Sequence, residues 1–274
     1  SALHYNYAQR QQTEKALLIT PVFSDEMKAA YRKRVADDML ADNQYLMLIR
    51  QPFTFKAAKQ ISRFIKTDLL SEHDALESSF KQRASDYRIL HLGTHAEINN
   101  VSPILSRFFL AKPTAEDSTS NDDGYLHAYE IYGMNLNANL AVLNACETGT
   151  GQWREGEGVI SLAHSFMYAG CPSVVMTLWK VDEKTSAEVV TLFYKYLSQG
   201  MTKGAALQKA KIEYLRKAPS NLAHPYFWAG MTLVGDSQAV VTTKNNLWVM
   251  AGMGFGIMLV GGLALRFLLR QTTK

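Results

Sequence analysis

Residues 88–95 read Arg-Ile-Leu-His-Leu-Gly-Thr-His, and residues 139–146 read Asn-Leu-Ala-Val-Leu-Asn-Ala-Cys. Such short runs of branched apolar residues are typical of β-strands buried on both faces of a sheet. Each run ends in a reactive side chain, His95 in the first and Cys146 in the second. If the two strands are parallel neighbours, both side chains lie at the carboxyl edge of one sheet, where open α/β sheets place their sites. A thiol beside an imidazole is the minimum for nucleophilic catalysis by cysteine.

Strand-like and helix-like segments alternate along the rest of the chain. The runs predicted as strands are Ala16–Thr20, Tyr45–Ile49, Tyr87–Gly93, Leu140–Asn144, Ser173–Leu178 and Phe227–Val234. The segments predicted as helices are Ser24–Ala41, Phe55–Ile65, His73–Arg83, His127–Tyr132, Gly156–Ala169, Asp182–Ser198 and Thr202–Leu215, with a loop over residues 147–155. This alternation predicts an α/β fold with a mostly parallel sheet flanked by helices.

Charge is distributed unevenly along the chain. Its 29 Lys and Arg residues exceed its 25 Asp and Glu residues, but no acidic residue follows Asp236. The four basic residues that follow are Lys244, Arg266, Arg270 and Lys274. The rest of the chain is therefore formally neutral, which argues against nucleic acid as a partner of the folded body, since such a surface needs an excess of basic residues.

The two cysteines, Cys146 and Cys171, do not form a disulfide framework of the kind found in small secreted domains. Cys171 precedes an apolar run and is interpreted as a buried core residue. A Cys146–Cys171 disulfide stays open as an alternative in an oxidising compartment, although it would consume the proposed nucleophile. No His or Cys pair has zinc-ligand spacing, so neither a metal nor another cofactor is predicted.

Residues 247–265 form an uncharged, apolar segment that is close to the ~20 residues needed to cross a bilayer as a helix. Trp248 and the cations on both sides suit a membrane anchor. The sequence therefore predicts a linker at 237–246, a single C-terminal transmembrane helix at 247–265 and a short basic tail at 266–274. A buried core helix is the alternative for the apolar segment.

The side of the membrane depends on flanking charge. Three cations follow the predicted span and one precedes it, so the positive-inside rule places the large domain on the extracytoplasmic, periplasmic side. Residues 1–15 are polar, lack an export signal and are interpreted as the end of an upstream helical region. The chain is thus expected to be the C-terminal part of a longer protein. A cytoplasmic, tail-anchored protein is the alternative.

Two further polar residues have competing interpretations. Asp182 follows the predicted strand Ser173–Leu178, so its carboxylate could line a pocket at the carboxyl edge and favour a cationic substrate side chain. It could equally be the N-cap of the next helix. His91 lies inside the apolar run that leads to His95, and it is interpreted as a core histidine.

The chain from about Leu17 to Asp236 resembles the CHAT domain, a caspase-like cysteine peptidase family related to separases. The stretches that carry the resemblance are Ile89-Leu-His-Leu-Gly-Thr-His95, Val142-Leu-Asn-Ala-Cys-Glu-Thr-Gly149, Gly156-Glu-Gly-Val159, Tyr168-Ala-Gly170, Thr177-Leu-Trp-Lys-Val-Asp182 and His224-Pro-Tyr-Phe-Trp-Ala-Gly230. The corresponding domain is taken as residues 16–236. The resemblance implies a caspase-like sheet and, upstream of it, tetratricopeptide repeats that act as a sensor or docking arm.

The resemblance also implies roles for four residues. His95 and Cys146 match the family's catalytic dyad, and Asp182 matches an acidic position that binds a basic P1 side chain in related separases. Backbone N–H groups at Ala96 and Cys146 would bind the oxyanion, although caspase-like enzymes usually have Gly where Ala96 stands. The predicted function is a membrane-anchored cysteine endopeptidase that cleaves protein substrates after a basic residue in a regulated signalling or defence pathway. A catalytically silent scaffold that binds partner proteins is the alternative.

Overall fold

The computed structural model describes residues 13–35, 41–114, 122–145, 151–154 and 158–240. The strands in these ranges are β1 (Thr13–Thr20), β2 (Thr67–Ser71), β3 (Tyr87–Gly93), β4 (Ala96–Glu97), β5 (Arg107–Phe109), β6 (Tyr125–His127), β7 (Leu140–Asn144), β8 (Gly151–Arg154), β9 (Gly158–Ser161), β10 (Ser173–Thr177) and β11 (Met231–Gly235). The helices are α1 (Asp25–Arg34), α2 (Asn43–Leu46), α3 (Pro52–Phe64), α4 (Glu77–Arg83), α5 (Ala128–Tyr132), α6 (Leu162–Tyr168), α7 (Glu183–Leu197) and α8 (Lys203–Lys217).

The main sheet has six strands in the order β11-β10-β7-β3-β1-β2. All neighbouring pairs are parallel except β10 and β11, which are antiparallel. The predicted α/β class and mostly parallel sheet are therefore confirmed. The two apolar runs that precede His95 and Cys146 are direct neighbours, because β3 pairs with β7 from Ile89 opposite Leu140 to Gly93 opposite Asn144.

Both faces of the sheet are buried, which explains why its central strands are continuously apolar. Along β1, Leu17 and Ile19 face a core beneath α4, α5 and α6, whereas Ala16 and Leu18 face a core beneath α3, α7 and α8. These side chains are almost completely excluded from solvent. Burial of each Leu or Ile side chain contributes about 1.5–3 kcal/mol, so the alternating strand residues stabilise two helical layers at once.

Two smaller β elements flank the main sheet. Strands β4, β5 and β6 form an antiparallel sheet that follows directly from the end of β3. Strands β8 and β9 form an antiparallel pair ahead of α6. Residues 151–154 of the predicted loop and residues 158–161 of the predicted helix are strands, so these parts of both predictions were wrong, and the helix begins only at Leu162. Residues 147–150 and 155–157 lie outside the described residues.

The strand predicted at Tyr45–Ile49 was also wrong, because residues 43–46 form the short helix α2. Asp42 caps this helix, its side chain accepting a hydrogen bond from the backbone N–H of Tyr45. Tyr45 is fully buried, and its ring contacts Phe23 and Tyr31 edge-on. Aromatic packing thus accounts for the apolar character that the strand prediction relied on.

Several boundaries differ from the prediction. Residues 13–15, assigned to an upstream helix, belong to β1, where Thr13 lies opposite Tyr87 of β3. Helix α1 ends at Arg34 instead of residue 41. Strand β2 was missed because it is a half-buried edge strand of polar composition. The last strand begins at Met231, since the preceding Pro225–Phe227 forms a 3₁₀ turn.

No helix within the described ranges is long and apolar enough to cross a membrane. The predicted span at 247–265, the basic tail at 266–274 and residues 241–246 of the linker all lie outside the described residues. Residues 1–12 do so as well. The membrane anchor and the upstream helical region therefore stay predictions.

Candidate active site

The site lies at the carboxyl edge of the main sheet, where β3 and β7 end side by side. Gly93 of β3 is opposite Asn144 of β7. His95 and Cys146 each follow this matched pair by two residues, so the strand ends that carry them emerge together. Cys146 itself lies outside the described residues. The predicted placement of the two strand ends is confirmed, whereas a dyad contact stays a prediction.

A cleft of about 460 Å³ opens at this edge. Four segments form its walls: the chain from α2 into α3, His95 after β3, the end of β7, and the chain from β10 into α7. The lining residues are Met47, Leu48, Ile49, Arg50, Gln51, Thr54, His95, Asn144, Ala145, Lys180, Val181, Asp182, Glu183 and Ser186. The cleft therefore brings His95 and Asp182 to one cavity next to the chain segment that leads into Cys146.

The His95 ring is oriented by a backbone carbonyl. Its Nε2 lies 2.6 Å from the carbonyl oxygen of Ile49. A carbonyl oxygen only accepts hydrogen bonds, so Nε2 carries the proton and donates. In the neutral imidazole the other ring nitrogen, Nδ1, then keeps its lone pair. This tautomer leaves Nδ1 as the nitrogen that can accept a proton from a nucleophile.

Burial holds the pKa of His95 below its ordinary value, and the positive charges of Lys180 and Lys28 act in the same direction. The hydrogen bond to the Ile49 carbonyl opposes this shift. The ring of Phe23 covers the imidazole at a centroid distance of 5.3 Å. At neutral pH His95 is consequently uncharged, which is the form that a general base requires.

Residues 47–51, here called the strap, are held in place by hydrogen bonds to their backbone. The Leu48 carbonyl accepts a hydrogen bond from Lys28 Nζ at 2.6 Å, and the Gln51 N–H donates to the Val22 carbonyl at 3.0 Å. With the His95 bond to Ile49 and the bond from the Met47 N–H to the Asn43 carbonyl, four of the five strap residues are fixed through backbone atoms. The position of the Ile49 carbonyl therefore does not depend on the imidazole alone.

The turn beneath the strap has an unusual backbone. Val22 and Phe23 have φ values of 67° and 56°, in the left-handed region that a β-branched residue rarely adopts. The Phe23 N–H donates to the Pro21 carbonyl at 2.8 Å, closing a three-residue turn of a strained type. The turn places Phe23 against His95 and the Val22 carbonyl against the strap. Backbone strain of this kind is concentrated at functional sites.

The backbone at Ala96 is compatible with an oxyanion donor. Ala96 lies opposite Phe108, and the Phe109 N–H donates to the His95 carbonyl at 3.0 Å. Hydrogen-bonded and non-hydrogen-bonded pairs alternate in antiparallel strands, so the N–H of Ala96 points away from β5. Ala96 is also not among the described residues with positive φ. Alanine in place of the glycine expected for caspase-like enzymes therefore imposes no strain here.

Asp182 both caps a helix and lines the cleft, the two positions considered for it from the sequence. It is the N-cap of α7, its Oδ1 accepting from the Thr185 N–H at 2.8 Å, and its exposed side chain also lines the cleft. Within the described residues, its Oδ2 accepts no hydrogen bond. One oxygen thus anchors the carboxylate, and the other remains available to a ligand.

Glu183 is a site residue that the sequence argument missed. Its Oε1 accepts from the backbone N–H groups of Phe53 and Thr54 at 2.8 and 2.9 Å, across the cleft wall. It thereby caps α3, whose own N-cap residue, Gln51, forms no side-chain cap. The only signal in the sequence was a helix that starts at Pro52 without a capping side chain before it. That signal does not identify Glu183, which lies 130 residues after Phe53.

Two distant motifs meet behind the cleft. Trp179 Nε1 donates to the Tyr226 carbonyl at 2.8 Å, and the Leu178 N–H donates to the Gly230 carbonyl at 2.9 Å. A Cβ on Gly230 would lie 2.7 Å from the indole ring. The Leu-Trp-Lys-Val-Asp and Tyr-Phe-Trp-Ala-Gly stretches therefore form one unit that fixes the turn carrying Asp182.

The interpretations of His91 and Cys171 as core residues are confirmed. His91 is fully buried, its Nδ1 lies 3.3 Å from the Tyr194 hydroxyl, and burial lowers its pKa to about 3. Cys171 is a buried free thiol that donates to the Ser173 carbonyl, and burial raises its pKa to about 12. Neither residue has the exposure or charge state that catalysis needs. Across the described ranges, no cluster of His, Cys, Asp and Glu could hold a metal ion.

A family model described as the CHAT domain matches residues 3–236. The chain belongs to the CHAT domain family. Mouse tetratricopeptide repeat protein 28 is 32% identical to this CHAT domain protein over 112 residues, which is 40% of this chain and 4% of the relative. The human protein of the same name shows the same identity and coverage. The chain thus spans only a small part of these much longer relatives.

Two solved structures are similar to this CHAT domain protein. Gingipain R (RgpB) of Porphyromonas gingivalis is described as an Arg-specific cysteine proteinase. Its TM-score is 0.50 at 10% identity, and the matched region covers 84% of this chain and 48% of the gingipain R chain. Separase of Saccharomyces cerevisiae, in complex with securin, has a TM-score of 0.45 at 11% identity, and the matched region covers 83% of this chain and 12% of the separase chain. The likeness to gingipain R confirms the caspase-like fold.

Proposed function

We propose that this CHAT domain is a cysteine endopeptidase in which His95 and Cys146 form the catalytic dyad. The observation that carries the proposal is the environment of His95. Its imidazole is neutral, held through Nε2 by the Ile49 carbonyl, and placed at the strand end next to the one that leads to Cys146. A core histidine such as His91 has no comparable access to a cleft.

The proposed reaction runs through an acyl-enzyme. Nδ1 of His95 takes the proton of the Cys146 thiol, and the thiolate attacks the scissile carbonyl carbon. Backbone N–H groups of Ala96 and Cys146 stabilise the oxyanion of the tetrahedral intermediate. The imidazolium then protonates the amine that leaves. Water, deprotonated by His95, hydrolyses the thioester and restores the free thiol.

Asp182 is proposed to select Arg or Lys at P1. Its Oδ2 is available in the cleft for a charge-assisted hydrogen bond to a guanidinium or ammonium. Glu183 is less suited, because it is half-buried and held by two backbone N–H groups, whereas Asp182 is exposed and held by one. Arg50 and Lys180 also line the cleft, so selection for a cation depends on Asp182. Gingipain R, which shares the fold, is an Arg-specific cysteine proteinase, and this supports the choice.

The cellular setting is also a proposal. The apolar segment 247–265 would anchor the protein in a membrane, with the catalytic domain on the extracytoplasmic side or, as the alternative, in the cytoplasm. Upstream tetratricopeptide repeats would dock protein substrates, and the names of the mammalian relatives support such repeats. No cofactor enters the proposed reaction.

The test uses fluorogenic peptides with Arg, Lys, Leu or Asp before the scissile bond, incubated with the full chain and its native upstream region. We expect cleavage after Arg or Lys, lost in Cys146→Ala and His95→Ala and retained in Cys171→Ala. Asp182→Asn should lower kcat/KM for Arg peptides by at least tenfold, with little effect on Leu peptides. Cleavage that survives Cys146→Ala would refute the dyad.

A scaffold without catalysis is the second candidate, and the observation that raises it is Ala96, which stands where caspase-like enzymes usually have Gly, although the backbone there is unstrained. Alkylation by iodoacetamide separates the two. A dyad cysteine should react well below pH 8, much faster than Cys171, and should slow down in His95→Ala. A Cys146 as inert as Cys171 would support the scaffold.

A further inference from the structure

Two large apolar side chains of the strap are exposed inside the cleft. Met47 is 80% exposed and Ile49 is 75% exposed, although both line the same cavity as His95. Most large apolar side chains of the described chain are buried in one of its cores. Exposed apolar side chains gathered in a cleft mark binding sites more often than isolated surface residues do.

The exposure results from a fixed backbone. The Met47 N–H donates to the Asn43 carbonyl at 3.1 Å, and the next two carbonyls, of Leu48 and Ile49, accept from Lys28 and His95. With its backbone held at successive residues, the strap cannot turn Met47 and Ile49 inward without losing these hydrogen bonds. The apolar surface is therefore presented to the cleft before any ligand arrives, which lowers the entropy cost of binding.

The cleft also has a charged part. Arg50, Lys180 and Asp182 bring charged groups to the same cavity. A peptide that offered only charged or polar side chains would leave the apolar surface of Met47 and Ile49 in water. A peptide that combines a basic residue with a neighbouring non-polar residue would cover both surfaces.

We propose that Met47 and Ile49 form an apolar shelf that binds a non-polar side chain of the protein substrate, within a few residues of the basic P1 residue. The shelf rests on the proposed peptidase function and narrows its substrate class to segments that pair Arg or Lys with Leu, Ile, Met or an aromatic residue. Because Ile49 also accepts the hydrogen bond from His95, a side chain on the shelf would exclude water from that bond.

The test separates recognition from cleavage. Fluorescein-labelled peptides carry one fixed Arg, with Leu or Asn at each flanking position in turn, and their Kd is measured by fluorescence anisotropy with the Cys146→Ala protein. We expect at least one position where Leu binds about tenfold more tightly than Asn, equivalent to about 1.4 kcal/mol. In Met47→Gln/Ile49→Thr this ratio should fall to about one, with the affinity of the Asn peptides unchanged.

Val101→Thr is the matched control, since Val101 is 90% exposed and does not line the cleft. It should keep the full preference for Leu. A wild-type ratio of one at every position, or a ratio that persists in the double variant, would overturn the shelf. The same peptides incubated with the protein that retains Cys146 report on cleavage. Leu-selective binding without Cys146-dependent cleavage would refute the peptidase and leave the shelf standing as a binding site.

Discussion

Glu183 connects α7 to α3 at the cleft, and its contribution to the free energy of unfolding can be predicted from its hydrogen bonds. Glu183 sits at the start of α7 and accepts hydrogen bonds from two backbone N–H groups at the start of α3. A capping side chain contributes about 0.5–2 kcal/mol, and a negative charge near a helix N-terminus adds about 0.3–1 kcal/mol. We expect Glu183→Ala to lower the free energy of unfolding by about 1–2 kcal/mol, because α3 has no cap of its own.

Urea denaturation followed by circular dichroism measures this change, and in thermal unfolding it corresponds to about 2–8 °C for a domain of this size. Glu188→Ala is the matched control, since Glu188 is an exposed glutamate on the same helix, and it should change stability by less than about 0.5 kcal/mol. Glu183→Gln, which retains an acceptor oxygen, should fall between the two. Equal stabilities of Glu183→Ala and Glu188→Ala would refute the bridging role of Glu183.

Two other predictions concern the core behind the site. Gly230→Ala should destabilise the fold by about 1–3 kcal/mol in urea denaturation, because its Cβ would meet the Trp179 ring at 2.7 Å. Gly204→Ala is the control and should not destabilise the fold, because the nearest atom to its Cβ would be 3.9 Å away. Equal effects of the two substitutions would contradict the packing of Gly230 against Trp179. Because the pKa of His91 falls to about 3 on folding, stability should decline as pH drops from about 6.5 towards 3, where the unfolded chain binds the extra proton. His91→Gln, which can still contact Tyr194, should flatten this decline in urea titrations at several pH values, and an unchanged slope would show that other groups cause it.

The predictable part of the fold is the part whose signal is local. The run before His95 and the run before Cys146 are apolar throughout because both faces of their strands are buried. Their adjacency could also be anticipated, since parallel strands bring their carboxyl ends to one edge. The errors arose where tertiary packing overrides local pattern. Tyr45 belongs to a run that is typical of a strand, but it packs on Phe23 from within a short helix that Asp42 caps.

The site shows the same division. The amino-acid sequence by itself determined which strand ends carry the reactive side chains, which acidic residue lies at the edge, and to which family the motifs point. Only the tertiary structure decided what surrounds them. The carbonyl that orients His95 belongs to Ile49, 46 residues earlier, and the carboxylate that caps α3 belongs to Glu183, 130 residues later. Contacts through backbone atoms carry no residue-type signature, and partners far apart in the chain have no periodicity to reveal them, so folding alone brings them together.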